Sequence, residues 1–370
     1  MDFNKIRFDC RHFVGYIPCK PNKQHGVHCQ EENGEVCKFY NPASINILII
    51  KLGAAGDVIR TTPLLYALRD KYPDAHLTWL TQFPDLVPSA KENSLGVDKI
   101  LGWNETSLTI VKNSLYDVVI NLDKDEQACA LVKSLGDIKN VFGYILKDNK
   151  PYPANDLAIH KYMTGIFDDV SIANKKNYMQ ETFEICGFEY KLQQYILPAF
   201  DTTRQFEIDH SKKVVGLNTG CGGRWTSRLW PEEYWLDLIK GLQAFGYEVV
   251  ILGGPEEQEK NQRLQQKTNA KYFGVMPLKT FMGLMNECDL IVSAVTMGMH
   301  IAIGLKKKLI LFNNIFNKNE FELFGRGEIL EPEKPCQCYF TPKCKNEDYR
   351  CIEHIYPQRV LLSVNQNLTT

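Results

Sequence analysis

The chain contains 370 residues, 44% of them hydrophobic and 24% charged, with a formal net charge of −1. That is enough chain for two globular domains with separate cores, and the balanced charge excludes wrapping of nucleic acid or electrostatic steering to a membrane. No apolar run approaches the roughly 20 residues that span a bilayer, and residues 1–10 carry two acids and no secretory apolar segment, so the expected location is cytoplasmic.

Eight of the twelve cysteines fall in two terminal clusters, while Cys129, Cys186, Cys221 and Cys288 are scattered like ordinary small apolar residues. Residues 1–44 hold Cys10, Cys19, Cys29 and Cys37 among Gly, Pro, His and Lys, with little periodicity. Such a segment buries little apolar area, and four thiolates could hold zinc or iron, with His25 and His28 as substitutes. The spacings contain no Cys-x-x-Cys, so reduced thiols in a packed loop are an equal alternative.

From Ile45 strands and helices alternate. The apolar run Ile45 to Ile50 reads as a strand buried on both faces, ending in the small residues Gly53 to Gly56 and a helix start that carries Asp57. Leu64, Leu65 and Leu68 keep helical spacing; His76–Leu80, Tyr116–Leu122 and Asn140–Tyr144 read as further strands. This pattern predicts a parallel sheet with helices on both faces. Residues 147–195 break it, as an acceptor platform, a lid or a plain surface excursion, with a helix over Asn177–Cys186. Residues 196–212 read as a linker.

A second alternating set follows, with strands at Lys213–Asn218, Tyr247–Leu252, Asp289–Ser293 and Lys308–Phe312, and a short apolar helix over Met297–Leu305. Two doubly wound domains would face each other across a cleft at the carboxyl edges of their sheets, where ligands of such sheets bind. Three strand-end loops of the second set suit a diphosphate: Thr219 and Gly220 with Arg224 and Arg228, then Gly254 with Glu256, and Thr296 to His300, which includes Gly298 and Met299. Glu256 could meet a ribose, and Thr296 could cap the helix that follows.

Lys51 to Pro63 with its Gly56-Asp57, the Trp230-Pro231-Glu232 helix start, the Gly253-Gly254 turn and Thr296 with His300 together resemble the family 9 glycosyltransferases, typified by the lipopolysaccharide heptosyltransferases. The resemblance implies a GT-B fold and metal-independent, inverting transfer of a sugar, usually heptose from ADP-heptose. It implies Asp57 as general base, Lys51 near the reaction centre, and Arg228 at a position where Lys is common. The family's Asp-Thr-Gly-x-x-His motif falls on Val295, Thr296, Met297 and His300, so Val295 stands in place of the Asp and Met297 in place of the Gly. The expected partners are a nucleotide-sugar donor and a glycan or glycolipid acceptor, reached at the inner face of a bacterial inner membrane. A protein acceptor, a nucleotide-sugar 2-epimerase and a non-catalytic nucleotide-sugar-binding module are the alternatives.

The last section packs Cys336, Cys338, Cys344 and Cys351 into sixteen residues, a spacing that favours one tetrahedral structural site for zinc or iron rather than a catalytic metal, with two reduced pairs or pairing with the N-terminal cluster as the alternatives. A closing helix follows from Tyr356, which in GT-B proteins often returns to the first domain. The expected organisation is an N-terminal extension over 1–44, an acceptor-side domain over 45–200, a donor domain over 201–330, and a cysteine knuckle with closing helix over 331–370.

Overall fold

The computed structural model describes residues 3–30, 34–334, 336–346 and 348–369. They pack as two compact units: Met1–Leu52 with Leu64–Ala158, and Gly53–Pro63 with Ile159–Thr370.

The first unit is built on six strands, β1 (Ile45–Ile50), β2 (Ala75–Thr81), β3 (Lys99–Gly102), β4 (Val118–Asn121), β5 (Asn140–Lys147) and β6 (Lys150–Pro153). Their order is β3-β2-β1-β4-β5-β6, all parallel except the β5–β6 hairpin. β1 lies in the middle, and Ile47 to Ile50 are fully buried because neighbouring strands and the layers above and below cover both faces. The hairpin turns at Asp148 and Asn149, both with positive φ (49° and 62°), the geometry of a two-residue type I′ turn.

The second unit repeats this winding with β7 (Val214–Asn218), β8 (Glu248–Leu252), β9 (Lys271–Tyr272), β10 (Leu290–Ala294), β11 (Lys308–Phe312) and β12 (Gly327–Leu330), in the order β12-β11-β10-β7-β8-β9 and parallel throughout. On one face Val215, Leu217 and Ile251 pack with Trp235, Leu238 and Leu242 of the helix Glu232–Ala244 and with Val360 and Val364 of the helix Pro357–Thr369. The C-terminal helix thus completes the second unit's own core instead of returning to the first domain. Leu361 lies over Gly241, where a Cβ would crowd it.

The anticipated boundary at residue 200 is displaced, for identifiable reasons. Residues 53–63 leave the first unit because the helix Ala55–Thr61 packs on the helix Met297–Gly304. The stretch 196–212 is docked as well: Ile196 N–H donates to Thr62 Oγ1 (2.9 Å), Leu197 fills the space over Gly304, and Thr280 Oγ1 donates to Asp201 (3.3 Å). The irregular region before it contains three short helices, Ile159–Thr164, Asp168–Ala173 and Tyr178–Ile185, the last with Asn177 as N-cap in a reciprocal pair with Gln180.

Asn317 fastens that region to the rest of the second unit. Its buried amide donates to the carbonyls of Ser171 (2.8 Å) and Asn174 (2.7 Å), each of which keeps one further donor, Asn174 N–H (3.2 Å) and Asn319 Nδ2 (3.1 Å) respectively. Asn317→Ala is expected to destabilise the protein by about 0.5–1.5 kcal/mol per lost hydrogen bond, read as a lower denaturation midpoint in urea; an unchanged midpoint would show that these contacts do not hold the region.

Candidate active site

A cavity of about 630 Å³ opens in the second unit where the loops after β7, β8 and β10 converge. These three strands are neighbours in the order β10-β7-β8, so the cavity sits at the topological switch point, where diverging connections leave space beyond the carboxyl ends of the strands. It is lined by Asn218 and Gly220, by Gly253 and Gly254, and by Val295, Thr296, Gly298 and His300. Ala54 to Asp57 and Arg60, which belong to the same unit, close another wall.

Thr296 caps the helix Met297–Gly304 by accepting from Gly298 N–H (3.1 Å), and Asn218 Nδ2 donates to Thr296 Oγ1 (3.0 Å). The positive end of the helix is therefore fixed at the cavity. Arg228 faces the same space from a 3₁₀ turn, Thr226–Arg228. Its guanidinium is buried, donates to the carbonyls of Val295 and Cys221, and lies 5.6 Å from the Trp225 ring and 5.4 Å from that of Phe316. Among the described residues no carboxylate pairs with it, and Nε has no hydrogen-bond partner. Burial lowers its pKa, so an anion in the cavity would relieve an uncompensated charge.

Asp57 lies in the first turn of the helix Ala55–Thr61. Oδ2 accepts from Ala54 N–H (3.3 Å), and Oδ1 takes Arg60 Nε at 2.9 Å. The residue therefore caps its helix and still lines the cavity. Arg60 is held on three sides: by Asp57, by Glu320 (3.6 Å) and by the Tyr178 ring beneath its guanidinium at 3.6 Å. Burial disfavours its charge most strongly of any one cause, but Asp57, Tyr178, Glu320 and Tyr195 together outweigh that and raise its pKa.

The wall carrying Asp57 stands close to the helix end because residue 56 has no side chain: a Cβ there would run into the His300 imidazole. His300 is 4% exposed, and its Nδ1 has no partner among the described residues. Burial, aided by the Arg60 charge, lowers its pKa to about 3, so the ring is neutral around pH 7.

The anticipated site residues divide accordingly. Asp57, Gly220, Arg228, Gly254, Thr296, Gly298 and His300 meet at the cavity. Arg224 is exposed beside Trp225, and Glu256 is exposed with its carboxylate near Gly222 and Gly223; neither lines the cavity. The carboxylate that does is Glu257, which accepts from Gly254 N–H (2.9 Å) and fills the space over Gly220. Thr219 and Met299 are buried behind the wall, Thr219 donating to Asn261 (2.6 Å). Lys51 belongs to the first unit, where it is buried and pairs with Asp123 at 2.5 Å. Arg60, Glu257 and Glu320 are additions. Arg60 was legible as the residue one helical turn after Asp57; Glu320, in an irregular stretch after β11, carries no signal.

The C-terminal cysteines form a second centre in the same unit. Ligand atoms of Cys336, Cys338 and Cys351 lie within 4.8 Å of one another, and Cys344 Sγ is 3.5 Å from Cys338 Sγ. Tetrahedral thiolates around zinc stand roughly 3.8 Å apart for metal–sulfur bonds of about 2.3 Å, so the set fits one ion. Lys345 N–H donates to Cys338 Sγ (3.0 Å), as backbone donors do toward charged sulfur. The knuckle also supports the cavity: Ser227 N–H and Oγ donate to the carbonyls of Pro342 (3.0 Å) and Thr341 (2.8 Å), and Phe340, Trp225 and Phe316 form one aromatic cluster on the cavity wall.

The depressed His300 pKa sets a pH dependence. Above about pH 6.5 the ring is neutral folded or unfolded and contributes nothing; as pH falls from 6.5 toward 3 only the unfolded chain takes up the proton. Stability is therefore expected to drop by up to roughly 1.4 kcal/mol per pH unit across that window, and the drop should be shallower in His300→Gln. Parallel stability curves for the two proteins would contradict a neutral buried ring.

A model of the heptosyltransferase family, glycosyltransferase family 9, matches residues 109–315, more than half of the chain. Lipopolysaccharide heptosyltransferase 3 of Escherichia coli is 23% identical over 226 residues, 55% of this chain and 62% of that protein, so the match spans less than two thirds of the relative. Among solved structures, a family 9 glycosyl transferase from Veillonella parvula superposes with a TM-score of 0.66 at 17% identity, covering 88% of this chain and 97% of that one. The dodecameric iron-containing heptosyltransferase TibC of E. coli, solved with ADP-D-β-D-heptose, gives 0.56 at 12% identity, covering 88% and 77%. The paired parallel α/β units are those of the GT-B fold, and the chain belongs to glycosyltransferase family 9, the heptosyltransferase family.

Proposed function

We propose that the protein transfers heptose from ADP-heptose to a hydroxyl of a glycan or glycolipid acceptor of lipopolysaccharide-core type, with inversion at the anomeric carbon and without a catalytic metal. The observation that carries this reading is the buried Arg228, unpaired by any described carboxylate, facing one cavity with a capped helix end and Asp57. The donor's diphosphate would lie against Arg228 and the N–H groups of the Met297–Gly304 helix start, with Val275, Met276, Leu278 and Phe281 offering apolar surface for a planar base. The ADP-heptose seen with TibC agrees with such a donor.

In the reaction the acceptor oxygen forms the new glycosidic bond at the anomeric carbon as the bond to the diphosphate oxygen breaks. Asp57 takes the acceptor proton, and the departing ADP carries its charge onto Arg228 and the helix dipole. Arg60 keeps Asp57 in place by its two-atom contact and is itself anchored by Glu320 and Tyr178. The four C-terminal cysteines would hold a structural zinc or iron that keeps the Arg228 turn and its aromatic wall in position. Among the described residues no helix is long and apolar enough to cross a membrane, so a lipid-linked acceptor would be met by peripheral contact at the inner face of the bacterial inner membrane.

Asp57→Asn should lower transfer by about a hundredfold to ten-thousandfold while ADP affinity, measured by calorimetry, stays close to that of the unaltered protein; near-full activity would refute Asp57 as base. Arg60→Gln should reduce kcat far more than it raises KM. Cys338→Ser should instead weaken ADP binding, because the Arg228 turn hangs on the knuckle. Equal rates with and without added magnesium are expected, and a strict requirement for magnesium would overturn the metal-independent assignment.

A further inference from the structure

The N-terminal extension is ordered without a core of its own. Among its described residues from 3 to 44 only Pro21 is buried, while Phe3, Phe8, Val14, Tyr16, Ile17 and Val36 are exposed. Its regular structure is two short turns of helix, Phe3–Lys5 and Lys20–His25, and two isolated bridges, Cys10 with Pro42 and Gln30 with Val36. Hydrophobic burial on this scale cannot offset the conformational entropy of fixing some forty residues. Something else must hold the path.

Four cysteines meet where that force is missing. Cys10, Cys19, Cys29 and Cys37 all line one small cavity of about 30 Å³, with His12 and His28 on the same wall. Each arrives on its own defined turn. Cys10 follows a turn closed by its N–H to Arg7 O (3.1 Å), and Cys19 stands at the N-cap of the helix Lys20–His25 without using its side chain as a cap. Cys29 and Cys37 face each other across a small hairpin, Cys37 N–H donating to Cys29 O (3.1 Å). All four are free thiols. The extension is moored to its unit by Arg11, whose Nε and Nη2 reach Asp98 at 3.1 and 2.9 Å, so the cysteine turns are presented from a fixed base.

We propose that these four cysteines bind a second structural metal ion of the thiophilic class, separate from the C-terminal knuckle. The cavity has room for one or two water-sized bodies, which suits a single ion with four thiolates at about 2.3 Å and is too small for an iron–sulfur cluster. Among the described residues only the C-terminal group has three ligand atoms within 4.8 Å, so the N-terminal sulfurs draw inward when the ion binds. As each thiol coordinates, its proton goes to solvent and no electron is transferred. The extension then becomes a metal-folded knuckle in which four turns share one tetrahedral node.

The test is metal content by mass spectrometry on the full-length protein, as purified and for Cys19→Ser/Cys29→Ser, combined with maleimide labelling of individual thiols read by peptide mapping. Neither altered residue belongs to the proposed donor machinery, so ADP binding should persist while the double variant carries one metal equivalent fewer per chain. In the unaltered protein the four N-terminal thiols should label at least about tenfold more slowly than after chelation with a thiol-competing chelator. An unchanged metal content in the double variant, fast labelling of all four thiols in metal-replete protein, or disulfides among them would each overturn the proposal. If the variant fails to fold, the labelling of the unaltered protein decides alone. Loss of transfer in Asp57→Asn bears on the proposed reaction only, and leaves this metal count untouched.

Discussion

The candidate site depends on one close approach. The helix that begins at Ala55 can lie against the helix that begins after Thr296 only because Gly56 has no Cβ to strike the His300 imidazole. A methyl group at that point would push the two helix starts apart, and Asp57 and Arg60 would move off the cavity wall with them. The same contact buries His300 and keeps it neutral, so the ring adds no charge beside Arg60. Packing and electrostatics at this junction are therefore one constraint: the space denied to residue 56 is occupied by the group whose protonation would most disturb the ion pair.

The two arginines of the cavity wall are treated differently by the fold. Arg60 is neutralised in place by Asp57 and Glu320 and rests on an aromatic face, which makes it a fixed element. Arg228 receives two backbone carbonyls and aromatic edges but no described carboxylate. Carbonyl dipoles orient a guanidinium without cancelling its charge, so its field remains directed into the cavity. An arrangement with one compensated and one uncompensated cation suits a reaction in which a base is held still at one place and negative charge accumulates at another.

Much of this was legible in the sequence, for reasons that can be stated residue by residue. The fully buried central strands β1, β4, β7, β8 and β10 declare themselves as short apolar runs, and the residues just after them, Asp57, Gly254 and Thr296, follow from the rule that such sheets bind ligands at their carboxyl edge. The edge strands β3, β9 and β12 have four, two and four residues, too few to show a period, and β6 was announced only by the Asp148-Asn149 turn. Within loops the direction of a side chain is set by local φ and ψ, which is why Glu257 rather than Glu256 faces the cavity and why Arg224 turns to solvent while Arg228 does not. Lys51 was placed near the reaction by likeness; it directly follows β1, and its pairing with Asp123 on the loop after β4 carries no signal in the sequence. The domain boundary could not be read because the helix Ala55–Thr61 follows β1 in the chain but packs with the second unit.

The C-terminal knuckle shows how a segment with almost no core can govern a binding site. Among the described residues of its apolar cluster only Ile315, Cys338 and Cys351 are buried, yet around them stand Trp225 and Phe316, which also line the cavity. The turn that carries Arg228 is tied to Thr341 and Pro342 by hydrogen bonds and to Phe340 by the Trp225 ring. Hydrogen bonds of this kind each contribute about 1 kcal/mol net, and they hold a buried cation in register only if the backbone that accepts them is itself fixed. Thiolate ligation to one ion would fix four points of that backbone at once, at a free energy far above what so few apolar residues supply. With an ion bound there, the position of Arg228 would be decided in two places, by the Val295 and Cys221 carbonyls it touches and by the sulfur node that it does not touch.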